Sequence, residues 1–159
     1  MPGASLKVMA FEPDILVTSA DGSEIMLVAE TKWYDRDVPN AEGQLKAYMT
    51  GMGAPIGLLI TPRRLRIYRD RYLAPPGTSI ELIGEFDVTQ LFGSHSVQTG
   101  PNAALDFESD AQDWLESLLS KPAGDELSPE LRKATQLNIL PSLSEGLIRA
   151  GHPRSALSA

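Results

Sequence analysis

Two acidic residues and one lysine lie where apolar stretches of the chain meet polar ones. Asp14 follows a proline early in one strand-like run, and Glu30 and Lys32 end the next run, which is apolar from Ile25 to Ala29. Charged side chains at the end of an apolar strand lose hydration, so they are usually paired or bound to an ion. Two carboxylates and a backbone carbonyl suit Mg²⁺ or Mn²⁺, which prefer oxygen ligands and keep bound water. The expected chemistry is metal-assisted hydrolysis of a phosphate, with Lys32 positioning the attacking water or stabilising negative charge.

The two carboxylates meet only if the two runs form a hairpin in one particular register. The turn signal between the runs is Asp21-Gly22. A three-residue loop that also includes Ser23 would place Asp14 opposite Glu30, with Cβ atoms about 5 Å apart. A regular two-residue turn would put the carboxylates on opposite faces of the sheet. The site therefore predicts an odd-length loop or a β-bulge in this hairpin.

The helix expected after the hairpin contributes further candidates. Gln44 can orient the water or Lys32, because an amide both donates and accepts hydrogen bonds, and Tyr48 lies one turn later on the same face. Trp33 either lines the cleft or packs under the helix. Each feature also has an ordinary explanation, such as an incidental salt bridge between Glu30 and Lys32, an exposed glutamine or a core tyrosine. The order of the features along the chain is what favours a site.

Hydrophobic patterning predicts the elements that hold these residues. The runs 11–17 and 24–32 are expected to form the hairpin, with the second strand covered on both faces. A helix over 41–52 follows, with Leu45, Tyr48, Met49 and Met52 on its apolar stripe and Gly51 or Gly53 at its end. The remaining predicted elements are strands at 56–60, 65–68 and 79–86, a helical turn at 88–92 capped by Asp87, and a helix over 110–119.

Capping signals predict the helices of the C-terminal part. Ser109 with Gln112 and Ser142 with Glu145 have the spacing of capping boxes. Ser128-Pro129 reads as an N-cap followed by proline in the first turn, and Gly151 reads as the end of the last helix. We therefore expect a mixed sheet with helices on its faces in residues 1–100, and a helical extension in 101–159 that packs on this core or forms a dimer surface.

Composition excludes several classes of protein. The chain has 159 residues, no cysteine and two histidines, so disulfides, thiolate metal sites and a multi-histidine zinc centre are not expected. No apolar run is long enough to span a bilayer, and the N-terminus does not resemble a secretory signal, so a cytoplasmic location is expected. The formal net charge of -7 predicts weak, salt-sensitive binding to a polyanion. Between positions 63 and 71, however, five arginines form a candidate phosphate-contacting patch or a solvated edge strand: Arg63, Arg64, Arg66, Arg69 and Arg71.

These motifs resemble the PD-(D/E)xK nuclease superfamily. The match consists of Pro13-Asp14, Glu30-Thr31-Lys32 and Gln44, and the run from Gly57 to Pro62 adds similarity to the N-terminal nuclease domain of type I restriction enzyme R subunits. The resemblance covers about residues 11–72. It implies a restriction-endonuclease-like fold, a mixed sheet flanked by helices with additional C-terminal helices. In this family a helix usually precedes the Pro-Asp strand, and here we expect the helix near 110–119 to cover that face instead.

The resemblance also implies roles for individual residues. Asp14, Glu30 and the Thr31 carbonyl would bind Mg²⁺ or Mn²⁺, Lys32 would be the catalytic lysine, and Gln44 the accessory residue. The implied activity is metal-dependent hydrolysis of DNA phosphodiester bonds within a restriction, defence or DNA-repair system. The alternative is a catalytically inactive module that keeps the fold to bind DNA or protein. In either case, the net charge predicts a need for a homodimer or a larger complex to hold DNA.

Overall fold

A six-stranded mixed β-sheet forms the centre of the computed structural model, which describes residues 12–72, 79–92, 102–120 and 127–151. In space the strands follow the order β5-β4-β3-β2-β1-β6. Their bounds are β1 Ile15–Ser19, β2 Ile25–Thr31, β3 Ile56–Ile60, β4 Arg64–Asp70, β5 Ile80–Asp87 and β6 Gly146–Ala150.

Helices cover both faces of the sheet. They are α1 Val38–Met52, α2 Thr89–Phe92, α3 Ala103–Ser120, α4 Pro129–Ala134 and α5 Leu140–Glu145. A 3₁₀ turn, Asp35–Asp37, precedes α1, and a π-helical turn, Thr135–Ile139, joins α4 to α5. Among the residues that the structure describes, no helix is both long and apolar enough to cross a membrane. The prediction of a mixed sheet flanked by helices is confirmed.

The central strand of the sheet is β2. It pairs antiparallel with β1 and parallel with β3, and its residues from Leu27 to Thr31 are all buried. This burial on both faces confirms the interpretation of the apolar run as a central strand. Because two parallel neighbours need a crossover, α1 connects β2 to β3 over one face of the sheet.

Helix α1 begins three residues earlier than predicted. Pro39 lies in its first turn, where the missing N–H of proline would have no helical partner anyway. Its buried residues are Ala41, Leu45 and Met49, whereas Met52, expected on the same stripe, is half exposed at the helix end. Gly53 adopts the left-handed conformation, φ 71°, and ends the helix as predicted.

The opposite face carries the larger core. Phe107, Ala111, Leu115 and Leu118 on α3 pack against inward-facing side chains of β1, β2 and β3. The prediction that this helix begins near residue 110 is wrong, since α3 begins at Ala103. Its apolar spacing simply continues two turns further toward the N-terminus. The proposed capping box of Ser109 and Gln112 is therefore also wrong, because both residues lie within the helix.

The C-terminal part completes the sheet. Ser128 caps α4 as predicted, with its hydroxyl accepting the Leu131 N–H at 3.2 Å. The helix predicted from Ser142 to Gly151 is wrong: α5 ends at Glu145, and the chain continues as β6, antiparallel to β1. Pairing with a buried neighbouring strand outweighs the local capping signal. Asp87 also acts as predicted, because its side chain accepts the Thr89 N–H at 2.8 Å.

Candidate functional site

A β-bulge sets the register of the hairpin that carries the acidic residues. Next to the turn, Thr18 pairs with Ile25, and beyond the bulge Val17 pairs with Leu27. The ladder then runs regularly to Ile15 and Ala29. One residue further, Asp14 faces Glu30, which is the arrangement that required an odd loop or a bulge. The predicted irregularity is confirmed.

Asp14, Glu30 and Thr31 are linked by hydrogen bonds between side chains and main chain. The Asp14 N–H donates to Glu30 Oε1 at 3.2 Å. Both the N–H and the hydroxyl of Thr31 donate to Asp14 Oδ2, each at 2.8 Å. All three residues are buried. Side chains thus continue the connection between β1 and β2 past the end of their ladder, and they fix the orientation of both carboxylates.

Lys32 completes this cluster from the end of β2. Its Nζ lies 3.4 Å from Glu30 Oε2, and its side chain is about one-third exposed, at 32%. Its N–H donates to the Ile60 carbonyl at 2.9 Å, which extends the β2–β3 pairing by one residue. The lysine therefore has a fixed main chain and a side chain with access to solvent.

Asp14 and Glu30 are adjacent buried carboxylates, so the charge of one affects the ionisation of the other. Burial, followed by the charge of Asp14 and a hydrogen bond with it, raises the pKa of Glu30 to about 8. Lys32 lowers the pKa of Glu30, but by less than burial and Asp14 raise it. Without a further cation, the Asp14–Glu30 pair is expected to share a proton at neutral pH.

The donor set fits a hard divalent cation. Asp14 and Glu30 supply carboxylate oxygens, and their mutual repulsion is what a cation between them would relieve. Across residues 12–72, 79–92, 102–120 and 127–151, no group of three or more His, Cys, Asp or Glu side chains is arranged to hold a metal. A cation here would depend on two carboxylates, a main-chain carbonyl and water, which is a common arrangement for Mg²⁺.

A cleft of about 500 Å³ opens beside this cluster. One wall carries Asp14, Thr31 and Lys32, and the other is the beginning of α3, with the buried Glu108. The expectation that this helix takes the place of the family's N-terminal helix stays a prediction. Glu108 was missed in the sequence because the helix was expected to begin only at residue 110, although its spacing from Ala111 and Leu115 was visible.

The two candidates on α1 lie toward β1. Burial, and then the charge of Glu12, raises the pKa of Tyr48, so this half-buried tyrosine lies near the residues that lead into Asp14. Gln44 is exposed on the same flank of α1, one turn earlier. Its accessory role stays a prediction.

Trp33 packs against α3 and also borders the cleft. Its ring lies 5.8 Å from that of Phe107 on α3 in an edge-to-face arrangement, although part of the residue borders the cleft. Trp33 therefore both lines the cleft and packs under a helix, but this helix is α3 and not α1.

The five arginines do not form one continuous patch. Alternation along β4 puts Arg64 and Arg66 on the face of α1, and Arg69 and Arg71 on the face of α3. Arg63 precedes the strand and is exposed. The single phosphate-contacting surface suggested by their spacing is thus divided by the sheet.

Three of these arginines already bind carboxylate or amide oxygens. Arg66 pairs with Glu85 at 2.7 Å and with Glu42 at 3.3 Å. Arg69 donates to Asn138 Oδ1, with the shorter hydrogen bond at 2.8 Å. Arg71 pairs with Glu81 at 3.3 Å, leaving Arg63 and Arg64 as the better candidates for contact with phosphate.

Compared with protein-family models, with curated proteins and with solved structures, the chain gives no match. The function of the chain is therefore inferred from the geometry of Asp14, Glu30, Thr31 and Lys32 and from the order of these residues along the chain.

Proposed function

We propose that the chain is a metal-dependent nuclease of the PD-(D/E)xK superfamily, with a restriction-endonuclease-like fold, that hydrolyses DNA phosphodiester bonds using Mg²⁺ or Mn²⁺. The observation that carries the proposal is the contact between the buried Asp14 and Glu30 at the ends of adjacent strands, with Lys32 beside them. The connection of the two strands through a bulged hairpin, followed by α1 and a parallel β3, supports it as well.

Each residue of the cluster has a role in this proposal. Asp14 and Glu30 bind the cation, and Thr31 orients Asp14 through its N–H and hydroxyl. Lys32, whose side chain reaches solvent, positions the attacking water or stabilises the charge that develops on the phosphate. A divalent ion, when bound, neutralises phosphate charge and lowers the pKa of a coordinated water. Gln44 is proposed to orient Lys32 or the water from α1.

A binding module without activity is the second candidate, and the distribution of charge favours it. The net charge is -7, and Arg66, Arg69 and Arg71 are engaged within the protein. Such a surface holds duplex DNA weakly on its own, since affinity for DNA depends on the number of phosphates neutralised. A dimer or a larger complex would then supply the missing contacts, for an active nuclease as well as for an inactive module.

Cleavage assays distinguish the two candidates. Supercoiled, linear and single-stranded DNA are incubated with Mg²⁺ or Mn²⁺ and with wild type, Asp14→Asn, Lys32→Ala or Glu24→Gln, an exposed control at the other end of the hairpin. Asparagine at position 14 keeps an oxygen that can accept the Thr31 hydrogen bonds, so a loss of activity is not a loss of fold. The nuclease predicts cleavage by wild type and Glu24→Gln, reduced by about 100-fold or more in the other two variants. Equal background in all four proteins, with DNA retained without metal, would support the binding module.

A further inference from the structure

Three depressions lie side by side at the end of the sheet. The cleft beside Lys32 shares Trp33 and Tyr34 with a second depression of about 210 Å³. The second shares Asp35 with a third depression of about 300 Å³. Because neighbouring depressions have lining residues in common, they adjoin one another. We call the three together the Tyr34 groove; their lining residues run from Lys32 through Tyr34 to Arg63 and Arg64.

An exposed aromatic ring lies in the middle of the groove. Tyr34 is 50% exposed, so about half of the residue faces solvent. The guanidinium carbon of Arg36 lies 4.2 Å from the ring centroid, and the Asp37 N–H donates to the Tyr34 carbonyl at 3.2 Å. The ring is thus held by its 3₁₀ turn and a cation–π contact instead of by the core. A fixed, exposed aromatic beside a guanidinium is a stacking surface for an unpaired base.

Two arginines with ordered main chains lie at the far end of the groove. The N–H groups of Arg63 and Arg64 both donate to the Thr61 hydroxyl, at 3.3 and 3.0 Å. The Arg63 carbonyl accepts the Val88 N–H at 2.9 Å. Their side chains are exposed, and Arg64 is opposite Asp87 in the β4–β5 register. This end of the groove therefore presents two cations to solvent on a rigid turn.

The size and charge of the groove suit a single strand better than a duplex. Its depressions have the volume of small-ligand pockets, which accommodates a base but not the width of a double helix. Duplex binding typically neutralises about six to ten phosphates. Along this groove the exposed cations are Arg36, Arg63 and Arg64, while Lys32 and Arg66 are half-buried and paired with glutamates. The acidic residues along it are Asp14, Asp35, Asp37, Glu85 and Glu108.

We propose that the Tyr34 groove binds a single-stranded nucleic acid, with a base stacked on Tyr34 and phosphates at Arg63 and Arg64, and that it leads the strand into the cleft beside Lys32. The inference rests on the proposed nuclease function and names its substrate class. Stacking tolerates any base, so the groove is expected to bind without strong sequence preference.

Fluorescence anisotropy without metal tests this binding separately from cleavage. Fluorescent oligodeoxyuridylate and oligouridylate of about ten nucleotides, and a duplex of the same length, are titrated in EDTA with wild type, Tyr34→Ala and Tyr34→Phe. We expect wild type to bind the single strands more tightly than the duplex. Tyr34→Ala should weaken single-strand binding by about 5- to 150-fold, the effect of losing one stacked base, while Tyr34→Phe retains it. A preference between the two oligomers would identify the sugar that the groove accepts.

The salt dependence of binding tests the arginines. Arg63→Gln/Arg64→Gln should lower the slope of log affinity against log salt by about 1.4, since each phosphate contact to a single strand contributes about 0.7. Arg71→Gln, which removes one positive charge from the opposite face, should leave the slope unchanged. Equal affinity for duplex and single strand, or wild-type binding by Tyr34→Ala and by the double variant, would overturn the inference. Because no metal is present, a failure of cleavage with intact single-strand binding would count against the nuclease function alone.

Discussion

Replacing Glu30 by glutamine should remove a pH dependence of stability that the metal-free protein has between about pH 4.5 and 8. Burial, followed by the charge of Asp14 and a hydrogen bond with it, raises the pKa of Glu30 from 4.5 to about 8. The folded state therefore holds this proton more tightly than the unfolded chain. The stabilisation is complete below pH 4.5 and is lost as the pH rises through 8.

The magnitude follows from the two pKa values. Their difference corresponds to about 5 kcal/mol, which is comparable to the whole stability of a small domain, about 5–15 kcal/mol. Glutamine at this position is neutral at every pH and keeps a carbonyl oxygen that can accept the Asp14 N–H. Glu30→Gln should thus be nearly as stable as wild type at pH 5 and more stable at pH 8 without metal.

Urea unfolding in EDTA at several pH values measures this difference. Tryptophan fluorescence reports the transition, because Trp33 and Trp114 pack edge-to-face against Phe107 and Phe92 of the core. Glu24→Gln, an exposed glutamate of the same hairpin, serves as the control and should follow wild type. If wild type and Glu30→Gln lose the same stability between pH 5 and 8, Glu30 does not carry the raised pKa and the account of the carboxylate pair is wrong.

The other predictions concern the parts of the fold that support the site. Gly151→Ala should destabilise the protein by about 1–3 kcal/mol and lower cleavage, because a Cβ there would overlap the main-chain oxygen of Pro13. Gly57→Ala should cost less in the same urea unfolding, because a Cβ there meets side chains, chiefly the sulfur of Met49, and no main chain. Equal costs would contradict this explanation. Ser128→Ala should cost about 1 kcal/mol, because the hydroxyl caps α4; an unchanged thermal midpoint by circular dichroism would show that the cap contributes nothing.

The hairpin could be predicted because its determinants are close together in the sequence. The Asp-Gly turn and the apolar run identified both strands, and the alternation of side chains defined the register that Asp14 and Glu30 need. For the bulge that provides this register, the sequence showed only that the site requires an odd-length loop or a bulge. In the fold, the Met26 carbonyl at the bulge accepts a hydrogen bond from Ser142, at 3.4 Å, which is a contact that no local pattern reveals.

The features that the sequence did not predict depend on residues that lie far away along the chain. β6 is a strand because it pairs along its length with β1, whereas its own sequence follows a helical capping signal. The division of the arginines between two faces likewise requires knowing that β4 is regular from Arg64 to Asp70 and lies inside the sheet. Residue types alone indicated positive charge in this segment but not the acidic partners of Arg66 and Arg71, which come from other elements.

Calorimetric titration with Mn²⁺ at pH 8 tests the central claim most directly, namely that Asp14 and Glu30 together bind a divalent cation. Wild type should bind one ion, and Asp14→Asn and Glu30→Gln should each lose that binding while remaining folded. Lys32→Ala should still bind the ion, because Lys32 is a cation beside the site and not a ligand. Binding of Mn²⁺ that is the same in wild type and in both carboxylate variants would contradict the claim.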